Sequence, residues 1–464
     1  MKKILLALAA LLTLGYLGST WWIGRSLHAE LQEFVDAQQK HVPFLTITEK
    51  RYTDGWFGAE QELTLALHSE SLPEASQEQL LALGLAAAAG PMTVHNVIHF
   101  GPLCGFLCVG RARIDTRIDY PLALKKVMEP LYGSNPQPVA ISTRWGFFSD
   151  KTLTLSTPAV KGRDLGKLKE LDFSGASITV SVSKNSDRVQ SKGSMPLLHL
   201  VSDTNRLELR DLQFQNQQQR LLRELYTGTA SMTLAKFSAE PDDASEHKIS
   251  IEKITGSGSS TNKTPDFLDY GFQFGTGSIT ASEKSLSAIH FDFSVHHLNI
   301  KILAELADQL AALRKQGAAV DSQHMIEAFR DTLEANGPKL MADQPQVLLD
   351  RISVEAAQGV ATISGLVHYP GTTSKDWQED AILKTLREKL EANFDISIDE
   401  GLLELLPAHG ASANEQLHGF TNRGLITWKN GKIQTHISVR HNAILFNDKA
   451  LDDSSHEAHS HGTT

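Results

Sequence analysis

No charged residue interrupts the stretch 4–23, which Lys2 and Lys3 precede and Arg25 follows. At a rise of ~1.5 Å per residue, a helix of this stretch covers ~30 Å, the thickness of a bilayer's hydrocarbon core. The run is long for the apolar part of a secretory signal. Its small residues Gly18, Ser19 and Thr20 are followed directly by Trp21 and Trp22, which makes a poor cleavage site but a good interfacial aromatic belt. The reading favoured is an uncleaved signal anchor over residues 1–24, with Ile4 at one end and Trp21, Trp22 and Ile23 at the other. Positive charge ahead of the run predicts a cytoplasmic N-terminus and an exterior body. The next most apolar stretch, 80–89, is too short to span.

The exterior part of the 464-residue chain is long enough for more than one core. Its net charge of -10 argues against nucleic acid, which needs clustered Lys and Arg, and against polybasic adsorption to anionic lipid. Cys104 and Cys108 are the only cysteines. Three states are open to them, in order of preference: a local disulfide turned at Gly105, free buried thiols, or half of a metal site with no further ligand in place.

Along the chain, residues 25–42 read as an amphipathic stalk helix. Leu27, Leu31, Phe34 and Val35 share one face, and Pro43 ends the pattern. That face either docks on the chain's own sheet, the preferred reading, or self-associates through Leu27, Leu31 and Phe34 as a homodimer. A β-rich region, 43–296, follows. In it one hairpin plan occurs twice: Gly55-Trp56-Phe57-Gly58 and Gly146-Phe147-Phe148-Ser149 each precede an alternating strand. Alternation predicts that one ring of each aromatic pair fills the core while the other covers an edge; a ligand-facing shelf is the rival reading. Residues 73–89 read as a helix, and 92–100 as a strand with Val94, Asn96, Ile98 and Phe100 on one face and His95 and His99 on the other. From residue 173 short alternating strands continue, with 256–264 a flexible loop. The C-terminal region, 297–451, begins with helices at 299–316 and 320–335. It continues through strands at 347–355 and 360–367 and an acidic, largely helical stretch at 375–406, broken near 393–398. It closes on a hairpin at Asn430-Gly431. Residues 452–464 read as a disordered tail in which His456, His459 and His461 are weak metal candidates.

The fold class expected is α+β and β-dominated: an N-terminal transmembrane helix, then a large twisted antiparallel sheet with helices packed on one face. No nucleophile-elbow, zinc-protease or dinucleotide-binding signature occurs in the sequence, and neither a catalytic residue nor a cofactor is expected.

Several motifs in order carry a resemblance. They are the leader; Tyr52-Thr53-Asp54-Gly55-Trp56-Phe57; His99-Phe100-Gly101-Pro102; Leu225-Tyr226-Thr227-Gly228; His297-Leu298-Asn299; and Asn447-Asp448-Lys449. In these the chain resembles the YdgA-like family of bacterial envelope proteins, a domain of unknown function. It departs from the family where Phe100 interrupts His-Gly-Pro and where Asp448 replaces a glycine. The resemblance implies a single-pass inner-membrane protein with a mainly β body in the periplasm, and it supplies no reaction. Two function classes follow. The first is a non-enzymatic binding or scaffold protein of the envelope, whose ligand is an envelope protein or a lipid held in an apolar trough. The second is a periplasmic hydrolase with a site of dispersed His and carboxylate residues.

Overall fold

The computed structural model describes residues 2–41, 45–67, 90–104, 108–166, 168–241, 248–282, 284–315, 336–337, 339–371, 388–405 and 417–450. It is β-dominated and antiparallel throughout, with few helices. The chain forms two compact units. The first comprises residues 1–226 with 305–332, the second 227–304 with 333–464.

Unit 1 begins with α1 (Lys2–His41), one unbroken helix across the boundary at 24/25 where the sequence separates anchor from stalk. Its strands are β1 (Leu45–Asp54), β2 (Gly58–Leu67), β3 (Met92–Phe100), β4 (Ala112–Asp119), β5 (Ala140–Trp145), β6 (Lys151–Thr157), β7 (Val160–Leu165), β8 (Leu168–Phe173), β9 (Ala176–Val182), β10 (Arg188–Ser202) and β11 (Asn205–Leu222). Helix α2 (Leu122–Tyr132) joins β4 to β5. Pairing runs β1–β2–β3–β4–β5–β6–β9–β10–β11, with the β7–β8 hairpin attached to β10. Period-2 alternation positions the core: Ala59, Ile98, Phe100, Ala112, Ile114 and Trp145 point to one face, where Ile23, Leu27 and Leu31 of α1 cover them. Leu27 and Leu31 are therefore closed off by the chain's own strands rather than presented to a second copy. The side chain of Phe34 lies outside the described ones.

Among the described residues no helix is long and apolar enough to cross a membrane. The side chains of 2–14, which hold most of the apolar length read from the sequence, are outside that description.

Unit 2 is built on β12 (Leu225–Pro241), β13 (Ile249–Thr261), β14 (Phe267–Thr276), β15 (Ile279–Ala281), β16 (Lys284–Leu286) and β17 (Ala288–Asn299). After α3 (Ile300–Lys315), whose residues from 305 on belong to unit 1, come β18 (Gln346–Ala356), β19 (Gly359–His368), β20 (Glu391–Asp399), β21 (Thr427–Lys429), β22 (Lys432–Arg440), β23 (Ala443–Phe446) and β24 (Lys449–Ala450). The pairing order is β12–β13–β14–β17–β18–β19–β20–β22–β23–β24. Asn299 caps α3: its Oδ1 accepts from the backbone N–H of Lys301 and Ile302 at 3.0 and 3.3 Å. The Asn430-Gly431 turn has both residues at positive φ, 55° and 72°, as a tight hairpin requires.

Two expectations need correction. Residues 256–261 are not a flexible loop. They belong to β13, held between β12 and β14, because two flanking ladders satisfy a backbone that glycine and serine leave locally undecided. The break read near 393–398 in an otherwise helical stretch is a strand, β20, central between β19 and β22. The alternation of Ala392, Phe394 and Ile396 is the signal that an acidic composition hid. The helices expected at 73–89 and 320–335, and the tail, lie outside the described residues.

One strand glycine of this sheet, Gly365 in β19, is roofed by an aromatic ring. Phe394 lies over its register partner Gly365, where a Cβ would collide with the ring and with the Asn393 carbonyl. Gly365→Ala is expected to destabilise unit 2 by ~1–3 kcal/mol, the usual cost of overpacking, read as a lowered denaturation midpoint at unchanged slope.

Candidate functional site

Two places concentrate unusual side chains, one in each unit. In unit 1, α1 meets the sheet through a polar ladder beside the apolar core. The His28 ring stacks on Tyr52, with centroids 3.7 Å apart, and its Nε2 lies 3.3 Å from Glu49 Oε1. Gln61 donates to Glu49 Oε2 at 2.7 Å, Asn96 to Gln61 Oε1 at 2.9 Å, and Thr116 to Asn96 Oδ1 at 2.7 Å. The rungs thus cross β1, β2, β3 and β4 on the helix side. Burial pushes the Tyr52 phenol well above its ordinary pKa, and its buried hydroxyl has no hydrogen-bond partner among the described residues. Arg111 forms a fork on Glu30, at 3.0 and 2.5 Å, and donates to Ser26 at 3.2 Å.

Below this junction the turns after β1, β3 and β5 lie at one end of the sheet. Trp56, Phe57, Phe147 and Phe148 are all exposed there, Phe148 at 88%. Neither member of either pair fills the core, contrary to the expectation from alternation. These residues occupy turns, where the two-residue period of a strand does not apply. Gly55 and Gly146 close these turns through 2.8 Å bonds, from Gly55 N–H to the Gly58 carbonyl and from Gly146 N–H to the Asp150 carbonyl. At Gly101 a Cβ would strike the Gly110 carbonyl oxygen, so only glycine lets the loop after β3, entered through Pro102, close on itself. Cys104 and Cys108 form a disulfide in that loop, with Cα atoms 5.1 Å apart.

His95 and His99 project from the opposite face, about half exposed, each 3.8 Å from a carboxylate, Asp119 and Asp115 respectively. Among the described residues no group of three or more His, Cys, Asp or Glu is placed to hold a metal. His456, His459 and His461 lie outside them.

In unit 2 the ladder between β14 and β17 shifts register between Leu268 and Tyr270, so His296 and His297 together oppose Asp269. His297 takes up a φ of 61°, a conformation histidine tolerates better than most residues. The shift gathers donors on one carboxylate. His296 Nδ1 lies 3.2 Å from Asp269 Oδ1, the His297 N–H donates to that same oxygen at 3.4 Å, and Lys263 Nζ sits 3.6 Å from Oδ2. On the other side of the ring, His296 Nε2 is 3.1 Å from Ser294 Oγ, which also donates to Asp350 Oδ2 at 3.0 Å. Serine, imidazole and carboxylate therefore stand in the order of a nucleophile, its base and the group that orients the base. A cavity of about 410 Å³ adjoins the imidazole and the carboxylate, lined by Phe267, Asp269, His296, His297, Gln346 and Leu348 among others; Ser294 is not in its lining.

Burial works to raise the Asp269 pKa. The hydrogen bonds from His296 and His297, with the charges of His296 and Lys263, outweigh it and hold the carboxyl below the ordinary 3.8. A depressed folded-state pKa stabilises above 3.8 and stops doing so as pH falls through the lower folded value. Amide protection in β14 and β17 should accordingly fall across that window in the native chain, and Asp269→Asn should flatten the dependence in hydrogen exchange.

The family described as bacterial protein of unknown function, DUF945, matches residues 1–452. The chain belongs to the DUF945 family. No curated protein and no solved structure matches it. The DUF945 match is compatible with the YdgA-like resemblance and covers both units, including the junction of α1 with its sheet. Within this DUF945 chain, the motif His297-Leu298-Asn299 now has a physical content: a register shift that aims the His296 ring and the His297 backbone N–H at Asp269, then a helix cap. Sequence reading missed Ser294 and Asp269 because the shift that joins them to His296 is a property of strand pairing. The alternation of Ser294 and His296 on one face was the only local trace.

Proposed function

We propose that the chain is a bacterial envelope protein, tethered to the inner membrane by residues 4–23, whose exterior sheet units bind another envelope component without transforming it. The supporting observation is α1 itself. Its charge-free leader continues without a break into the segment that fills the core of unit 1, so in this reading tether and body share one continuous helix. In this reading the N-terminus is cytoplasmic, the units are periplasmic and Trp21 and Trp22, both exposed, lie in the interfacial belt. Alkaline carbonate extraction of bacterial membranes tests the tether. The intact chain stays in the pellet, and replacing Leu8 and Leu11 by aspartate releases it; a native chain that washes off refutes the tether.

One observation favours a second reading, hydrolysis in the periplasm: the Ser294–His296–Asp269 arrangement. It would act by attack of Ser294 Oγ on an acyl carbon, with His296 taking the hydroxyl proton and passing it to the leaving group as the scissile bond breaks, Asp269 holding the ring, and water then cleaving the acyl-serine. The Asp350 carboxylate competes for that hydroxyl, which is why binding stands first. A fluorophosphonate probe decides between them. Labelling of Ser294 that Ser294→Ala and His296→Ala abolish, with the fold retained, establishes the hydrolase. Absence of labelling leaves the binding role.

A further inference from the structure

In an antiparallel meander, alternate connections fall at the same end. The turns from β1 to β2, β3 to β4 and β5 to β6 are thus neighbours, and the hydrogen bonds Phe100 N–H to the Phe57 carbonyl and Arg111 N–H to the Trp145 carbonyl tie their bases together. Each presents apolar side chains to the outside: Trp56 and Phe57, Leu103 and Val109, Phe147 and Phe148. The middle loop, 101–110, has no charged residue, and the Cys104–Cys108 disulfide closes it. Monomeric proteins rarely expose large rings on adjacent turns unless something covers them.

The path of α1 says what covers them. His28 lies against Glu49 and Tyr52 within the sheet, Gly24 lies under the Phe100 ring, and Tyr16 stacks on Phe57 at the tip, 6.2 Å between centroids. The helix therefore leaves the sheet at the tips, and its remaining turns back to Lys2 carry it ~20 Å beyond them. With Ile23 at the edge of the hydrocarbon, Tyr16 lies ~10 Å inside that edge, since seven residues separate them along the helix. Phe57, stacked on Tyr16, is drawn to the same depth, which is the depth at which interfacial side chains anchor. The turn backbones are internally bonded, through Gly55 N–H to Gly58, Gly110 N–H to Pro102 and Cys104 N–H to Cys108 carbonyls, so they enter an apolar medium without stranding these donors. Asp54, Asp150 and Lys151 flank the aromatic tips in sequence and limit how deep the tips can go.

We infer that the three tips insert side by side into the outer leaflet of the bilayer that α1 crosses, and that the lipid surface is their occupant. The contact is apolar, so the net charge of -10 does not oppose it through the hydrocarbon. It rests on the tether proposed above. It adds that the sheet of unit 1 stands on the membrane by its turns, with the far turn at Asp203 and Thr204 held away by the length of β10.

The test uses the full chain in vesicles of phosphatidylethanolamine and phosphatidylglycerol, with and without brominated acyl chains. A bimane probe is attached to Trp56→Cys, Phe148→Cys or Thr204→Cys; the native cysteines are bonded and do not compete. Brominated lipid is expected to quench the probes at 56 and 148 and leave the one at 204 unchanged. Tip probes that behave like 204 in vesicle-bound chain overturn the insertion and leave the tether standing. Tip probes shielded from aqueous iodide yet blind to bromine show a protein surface over them, a second copy included, and also overturn it. A chain that does not float with the vesicles removes the tether and the insertion together.

Discussion

Leu27→Ala is expected to cost unit 1 ~2–5 kcal/mol, the range for deleting a fully buried leucine. Leu27 is 0% exposed, enclosed with Ile23, Leu31, Ile98, Phe100, Ala112, Ile114 and Trp145. The cavity left behind cannot collapse easily, because the strands on one side are ladder-bound and the helix on the other is pinned by the Arg111 fork. The measurement is the guanidinium midpoint of the full chain in detergent, with hydrogen exchange of β3 and β4 amides locating the loss in unit 1. A loss under ~1 kcal/mol would mean that α1 is a separable stalk and that the sheet folds without it.

Glu30→Ala is the second large effect. It leaves the Arg111 guanidinium, 11% exposed, without its carboxylate, and the buried Nε of Arg111 already lacks a partner among the described residues. Breaking a buried pair by removing one member costs ~3–5 kcal/mol; Glu30 is 38% exposed, so water screens part of this and ~2–3 kcal/mol is expected. The double variant Glu30→Ala with Arg111→Met should recover most of the loss, because the stranded charge goes with it. If the double variant is as unstable as the sum of the singles, the pair carries no coupling and the fork is incidental.

Much of the sheet was legible in the sequence because alternation is a strong local signal. The faces assigned to Val94, Asn96, Ile98 and Phe100 are the ones the structure uses, and Asn430-Gly431 turns where its φ requirement says it must. What escaped depends on pairing between distant segments. The glycine-serine run of β13 becomes a strand through its neighbours, and the acidic stretch around β20 hides a strand beneath its charges. The aromatic pairs of the two hairpins were recognised as a repeated unit, yet their exposure follows from their place in turns at one end of a meander. That shared end appears only when the order of strands is known. The same holds for Ser294, His296 and Asp269: each is ordinary in its own segment, and one shifted register brings them together.

In the proposed arrangement α1 is at once the tether and the core of unit 1, setting the sheet on its turns at the membrane. Cysteine labelling in intact cells opened only at the outer membrane tests it most directly, using a maleimide that does not cross the inner membrane. Thr204→Cys should react promptly, and Phe148→Cys should stay unreactive until detergent is added. Equal reaction at both positions, or no reaction at Thr204→Cys before the inner membrane is broken, would contradict it.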